Sequence, residues 1–388
     1  MGKNIGIIDA DLIDNGTRHP NLALMKISGY YKSLGCNVSL LLSYKDLSDY
    51  SNIYISKVFS KTSIPDLSLY NHISFGGTGF FEDGGPNLHK EIEHHMPDYS
   101  LYNGYVDKQI SLGKKKEYYS DYIDYSIGFT TRGCFRKCEF CVNKKYNKVF
   151  RHSSVDEFLD TSRKGIYLWD DNFLGYCKWE EVLDELVDTN KPFQFRQGLD
   201  IRLLDKRKAK RLSEVKYKGD FLFAFDNYQE KDLIEKKLRL WKSYSSKATK
   251  LYLFCGYYRS DEYDIINLFK RIHILMKFGT LPYVMRHDNH KSSKYRGVYT
   301  QIARWCNQPQ FYKKMSFREF CEANQYYHAN KNTICSAYQV MLDFEKKFPY
   351  IAQKYFDLRY EKENEYSNYT ILKEGNNVTQ GKELILCK

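Results

Sequence analysis

Between residues 125 and 285, short apolar runs alternate with longer amphipathic segments, and this alternation constrains the fold more than any other feature of the chain. Candidate strands cover 125–130, 165–169, 193–196, 220–225, 250–254 and 281–285. The intervening segments 155–163, 179–189, 205–215, 230–244 and 261–278 carry apolar residues at helical spacing. Strand–helix–strand order with right-handed crossovers makes the strands parallel and brings their carboxyl ends to one mouth. Six such steps predict an α/β fold, a partial (β/α)6 parallel barrel over residues 121–290, rather than a closed eight-fold one.

A shorter alternation precedes it. Strands are expected at 5–9, 38–42, 52–59 and 72–81, with a helix over 21–36 stopped at Gly35. Residues 1–81 therefore read as a small parallel-sheet domain of flavodoxin type. Residues 82–120, with Gly-Gly-Pro and Gly-Lys-Lys-Lys, read as an irregular connector. After about residue 290 the alternation stops, and 291–388 reads as a mostly helical extension with a polar tail from about Glu361.

Composition narrows the class. Of 388 residues, 42% are hydrophobic and 28% charged, enough apolar content for a folded core. No apolar run approaches the ~18 residues of a membrane span, and acids interrupt the N-terminus where a secretory signal would be apolar. A cytoplasmic protein with no membrane association is expected. Sixty basic residues against 48 acids give +12, compatible with a polyanionic partner. The ten cysteines are scattered except for one trio, a pattern of one metal site plus free thiols rather than of a disulfide framework.

That trio is Cys134, Cys138 and Cys141, spaced CxxxCxxC within Gly128-FTTRG-Cys-FRK-Cys-EF-Cys, directly after the first barrel strand. Thiolates on a tight loop suit a soft metal or an iron–sulfur cluster. Three ligands satisfy three irons of a four-iron cube and leave the fourth open. The alternative is a zinc site in a non-enzymatic module, for which His152 or Cys177 would have to supply the fourth ligand.

The motif resembles that of the radical S-adenosylmethionine (SAM) superfamily, CxxxCxΦC with an aromatic at Φ, here Phe140. The resemblance covers roughly residues 121–288. It implies a 4Fe–4S cluster on the three cysteines and SAM chelated to the open iron. It further implies an electron donor such as flavodoxin or ferredoxin, and cleavage of SAM to a 5′-deoxyadenosyl radical that abstracts hydrogen from a substrate. At the second strand end, Trp169-Asp-Asp-Asn-Phe resembles the Asp-Asp-x-Phe variant, so Asp170 and Asp171 are expected to meet the SAM ammonium, although one could cap the next helix. At the third, Arg202 is the expected partner of the SAM carboxylate; a salt bridge to Asp200 or Asp205 is its ordinary alternative. Asp226 falls where relatives contact the ribose, and Gly256 where they approach the adenine. Arg286, His287 and Asp288 would face the mouth as substrate contacts. The substrate class is open: a small molecule or a peptide, with RNA as the alternative that the net charge suggests.

The N-terminal region resembles the cobalamin-binding domain of some radical SAM enzymes, through its alternation and Phe75-Gly-Gly-Thr-Gly79. It lacks the Asp-x-His-x-x-Gly that supplies an axial histidine. Cobalamin is therefore possible, but a degenerate domain packed on the barrel is the expectation. The stretch from His19 to Met25 resembles one in an uncharacterised group with this layout. Three features receive ordinary readings: the basic segment 201–218 as a solvated helix face, His94-His95 as surface, and Cys306, Cys321, Cys335 and Cys387 as free thiols rather than an auxiliary cluster.

Overall fold

A computed structural model describes residues 2–81, 85–325 and 336–360. The chain divides into two compact units, Met1–Gln197 and Gly198–Lys388. The division falls inside the six-strand series, after its third strand.

Unit one begins with β1 (Asn4–Asp9), β2 (Asn37–Leu40), β3 (Asn52–Ser56) and β4 (Ile73–Gly76), all parallel in the order β2-β1-β3-β4. Ile5, Ile7 and Ile8 are fully buried, the continuous apolar run of a strand covered on both faces. One cover is the helix Leu22–Ser33, started by Asn21, whose side chain accepts from the Leu24 amide at 3.2 Å. Asp9 ends β1 by accepting from the Leu12 amide at 3.2 Å and the Tyr102 hydroxyl at 2.9 Å. Burial still pushes its carboxyl up to about 6.

The expected connector is more regular than its composition suggests. It contains the helix Asn103–Ser111, and Leu101, Tyr102, Val106, Tyr119 and Tyr122 join the core beside Ile5 and Ile7. Tyrosine does the apolar work there, which hides the periodicity from a reading that counts aliphatic residues.

The second half of unit one holds β5 (Tyr125–Gly128), the two-residue strands β6 (Thr131–Arg132) and β7 (Phe150–Arg151), β8 (Gly165–Leu168) and β9 (Phe193–Phe195). β5, β8 and β9 form a parallel sheet in that order, and β6 pairs antiparallel with β7. Tyr125, Ile127 and Tyr167 cluster with Leu22, so the N-terminal layer rests on this sheet. The edge of β5 is closed by a side chain: the Tyr99 hydroxyl accepts from the Ile127 amide at 2.8 Å and donates to the Phe158 carbonyl at 2.6 Å. The helix expected at 155–163 is a single turn, Val155–Glu157, closed by a Ser154–Glu157 capping box. Phe158 then turns onto Gly128, where an added Cβ would lie 2.3 Å from its ring, and Asp160 starts a new turn by accepting from the Ser162 amide at 2.9 Å.

Unit two holds β10 (Phe221–Ala224), β11 (Thr249–Cys255) and β12 (Leu281–Arg286), parallel in that order. Leu199 adds a parallel bridge to Phe223. Helices Lys206–Glu214, Lys231–Tyr244 and Glu262–Lys277 alternate with these strands, and five helices between Arg296 and Tyr355 follow. Lys206–Glu214 buries only Ala209 and Leu212, the solvated basic face expected of it. Cys306 and Cys321 are buried thiols; Cys335, Cys387 and the expected polar tail lie outside the described residues. No helix among the described residues is long and apolar enough to cross a membrane.

Candidate metal centre

The three cysteines sit between β6 and β7, and the loop that carries them is pinned at its root. Asp170, only 1% exposed, accepts from the amides of Thr130 (3.1 Å) and Thr131 (2.6 Å) and from both hydroxyls at 2.6 Å. Burial raises its carboxyl, and these four donors oppose that rise. Asp170 thus holds the end of β8 to the exit of β5, with both oxygens engaged. Its neighbour Asp171 accepts from the Gly133 amide at 2.7 Å, lies 3.6 Å from the Arg132 guanidinium and stays 21% exposed. Gly133 has φ +88°, and a Cβ there would lie 2.3 Å from the Lys148 carbonyl oxygen, so the turn into Cys134 requires glycine. Lys137 ties the far side by donating to the carbonyls of Lys144 (2.8 Å) and Tyr146 (2.6 Å).

The donor set fits an iron–sulfur cluster. Cys134, Cys138 and Cys141 are half-buried and free of disulfides. Cys134 Sγ accepts from the Arg136 amide at 3.3 Å and from the Asn172 side-chain Nδ2 at 3.3 Å; Cys141 Sγ accepts from the Asn143 amide at 3.4 Å. Such N–H···S bonds stabilise charged thiolates and set cluster potentials. Burial pushes the Cys141 thiol up, and the nearby Cys134 adds to it, a cost that cationic iron removes. Among the described residues no group of three or more His, Cys, Asp or Glu is gathered as one metal ion would need. A cube spreads three thiolates over three different irons, so it asks for no such gathering. Neither expected zinc partner is placed for that role: His152 Nε2 faces Glu93 at 3.1 Å, and Cys177 is exposed. Several buried polar atoms here have no hydrogen-bond partner, namely Asn172 Oδ1, Asn143 Nδ2 and Trp169 Nε1. Phe140 is half-buried between the second and third cysteines.

In unit two, the expected SAM contacts are held by the chain itself. Arg202 donates to Asp200 through Nε at 2.7 Å and to Glu230 through Nη1 at 2.8 Å. Asp226 accepts from the Phe254 amide at 3.0 Å; burial raises its carboxyl, while Arg271 lowers it. Arg271 is itself buried and donates to the carbonyls of Phe225 (2.9 Å) and Phe254 (3.0 Å). Gly256 has φ +75° and donates its amide to Asp264 at 2.8 Å. Arg286 donates to Thr300 at 2.9 Å.

Several partners escape sequence reasoning. Asn172 is only the x of Asp-Asp-x-Phe in the sequence. Arg196 stacks 4.5 Å over the Tyr167 ring and lies 3.5 Å from Asp121, which also pairs with His19. The distinctive stretch beginning at His19 is the one sequence signal for this cluster. His94 is not idle surface: it pairs with Glu157 at 2.7 Å and stacks 5.2 Å from His152.

The carboxyl edge of the N-terminal sheet can be tested against cobalamin. β1 and β3 flank the point where strand order reverses, the usual place for a ligand in such sheets. Here Asp11 accepts from the Val58 amide at 2.6 Å and from Thr62, and Lys57 donates to the Thr62 carbonyl at 3.3 Å under the Phe80 ring. A Cβ on Gly77 would lie 2.3 Å from the Lys57 carbonyl oxygen. The chain's own residues occupy much of this edge. His19 and His72 are both engaged elsewhere, His72 with the Leu47 carbonyl at 3.1 Å.

No protein-family model matches the chain. Among solved structures it is similar to the radical SAM methyltransferase TsrM from Kitasatospora setae with cobalamin and a [4Fe-4S] cluster bound: TM-score 0.50, 11% identity, 74% of this chain and 72% of that one. The same enzyme with tryptophan substrate and the SAM analogue aza-SAM matches at TM-score 0.50 and 11% identity, over 73% of each chain. The chain thus shares the fold of a radical SAM enzyme that carries a cobalamin-binding domain. The expectation against cobalamin draws no support from this likeness, since the similar structure contains it.

Proposed function

We propose that the chain is a radical SAM enzyme that holds a 4Fe–4S cluster on Cys134, Cys138 and Cys141, acts on a small molecule or peptide, and is reduced in the cytoplasm by a flavodoxin- or ferredoxin-type donor. The observation that carries this reading is the trio of half-buried thiols, supplied with N–H donors, at the carboxyl end of the first strand of a parallel sheet. Bound together, cluster and SAM would supply one-electron cleavage of a carbon–sulfur bond. The chain's own part is placement. Asp170 fixes the cysteine loop, Asp171 offers an accessible carboxylate for an ammonium, and Phe140 shields the loop from water. The expected roles of Arg202, Asp226 and Gly256 toward SAM, and the six strands as one partial barrel, belong to the same proposal. The test is anaerobic reconstitution, iron and sulfide counts, and chromatography of a dithionite-reduced reaction with SAM. About four irons per chain and 5′-deoxyadenosine support it; zinc in place of iron, or an iron-replete protein giving no 5′-deoxyadenosine with any reductant, refutes it.

A second reading, methyl transfer through cobalamin in the N-terminal domain, is favoured by the fold shared with TsrM. The packing of Lys57 against Gly77 opposes it. Titration with hydroxocobalamin decides: a retained, shifted corrin spectrum supports this reading, and free cobalamin after gel filtration removes it. For the RNA alternative, binding that falls steeply with salt is the distinguishing sign.

A further inference from the structure

We infer that Asn172 is a two-sided positioning residue, its amide nitrogen steadying the Cys134 thiolate and its amide oxygen accepting from the SAM ammonium. This rests on the proposed function above and adds a residue to it.

Asn172 precedes the turn Phe173–Gly175, the position at which an asparagine ordinarily caps the following backbone, yet its side chain makes no cap. The side chain is turned instead toward the cysteine loop, where Nδ2 donates to Cys134 Sγ at 3.3 Å. A thiolate only accepts, so this contact fixes which end of the amide faces sulfur. Oδ1 is thereby committed to the other side. It is buried without a partner, in a residue only 3% exposed. A buried carbonyl oxygen left unpaired is costly and rare, and here it lies one residue from the accessible carboxylate of Asp171. Oδ1 asks for a donor, and Asp171 asks for a positive charge. An ammonium satisfies both, and in SAM it belongs to the amino-acid end that chelates the open iron. Gly175 keeps the amide in place: a Cβ there would lie 2.8 Å from the Phe135 ring and 3.5 Å from Asn172 Cγ, so the turn packs directly on the cysteine loop.

The two halves separate in two variants of the reconstituted full chain. Each is measured at pH 8.5 for iron content, for midpoint potential by EPR-monitored titration, and for SAM affinity by the change SAM makes in the EPR signal. Asn172→Leu removes both halves: the potential should become more negative, since a hydrogen bond to sulfur favours the reduced cluster, and SAM should bind about tenfold more weakly. Asn172→Asp keeps an acceptor and loses the donor: the potential should again fall, while SAM affinity stays within about threefold of wild type. Wild-type potential and affinity in Asn172→Leu would overturn the inference. Equal weakening of SAM in both variants would overturn the acceptor half, with an ordered water as the partner of Oδ1 instead. If Asn172→Leu fails to retain iron, Asn172→Asp decides alone, through unchanged potential against the donor half and lost SAM affinity against the acceptor half. A wild-type chain that takes up no iron overturns the underlying reading, a result distinct from an iron-replete wild type with indifferent variants.

Discussion

The two sets of strand ends treat their polar groups differently. Around the ends of β5 and β8, polar atoms are buried and left without partners: Asn172 Oδ1, Asn143 Nδ2 and Trp169 Nε1. Around β10, β11 and β12 the charges are met by the chain itself. Arg202 is held by Asp200 and Glu230, Arg271 by two backbone carbonyls, and Asp264 accepts from the Gly256 amide and the Tyr299 hydroxyl, each at 2.8 Å. A satisfied network stabilises a fold; an unsatisfied one is tolerated where something else completes it. The first set therefore has the character of a ligand site and the second that of a scaffold.

The largest expected effect tests the first set. Replacing Cys134, Cys138 and Cys141 together by alanine should abolish iron uptake and brown absorption while the melting curve of the apoprotein barely moves, because the thiols are half-buried and only weakly bonded. A triple variant that keeps about four irons would place the cluster elsewhere.

Next comes the scaffold. Arg271→Met should lower stability to denaturant by about 3–5 kcal/mol, since it leaves Asp226 and Asp264 buried without their cation. Wild-type stability in that variant would show that the second set is not structural.

The adjacent aspartates divide the two characters within one dipeptide. Asp170→Ala should cost about 2–4 kcal/mol, through four donors left unpaired, and lose the cluster with the loop. Asp171→Asn should leave stability within about 0.5 kcal/mol and weaken SAM by about tenfold. The pH dependence follows from burial. A carboxyl raised in the fold, as in Asp170 and Asp226, binds its proton more tightly folded than unfolded. Its stabilising contribution is present at acid pH and is lost as the pH rises through the folded value. Denaturant titrations of Asp170→Asn against wild type between about pH 4 and 8 should show a shallower decline in the variant; parallel curves would mean that the carboxyl is not shifted.

The smallest effect is at Arg202. Arg202→Leu should cost about 1 kcal/mol, the worth of a partly exposed ion-pair network, and should move SAM affinity less than Asp171→Asn does. A tenfold loss of SAM affinity at unchanged stability would transfer Arg202 to the ligand-binding set.

Much of the fold is legible in the sequence because periodicity is a local signal. All ten expected strands form, within a few residues of their expected limits. Misses arise where distant packing overrides local pattern. The segment 155–163 has helical spacing, but Phe158 is drawn off to cover Gly128. The helix Asn103–Ser111 is concealed by tyrosines acting as core. The two-residue strands β6 and β7, which bracket the cysteine loop, are too short to show any period. At the site, spacing alone points to the three cysteines. It cannot separate Asp170 from Asp171, because their difference lies in burial, and burial depends on Thr130 and Thr131 some forty residues earlier. Asn172 is invisible for the same reason.

Tyr99 carries a practical consequence. Its hydroxyl occupies the free edge of β5, and its backbone carbonyl accepts from Arg163, which also donates to the carbonyls of Tyr122 and Tyr125. A shortened chain begun at residue 121, where the sequence suggests a clean start, would remove that stopper and bare the Ile127 amide on an open strand. Such edges recruit strands from other molecules. Anyone trimming the protein for crystallisation should keep the segment from residue 99 onward, or expect inclusion bodies rather than a smaller enzyme.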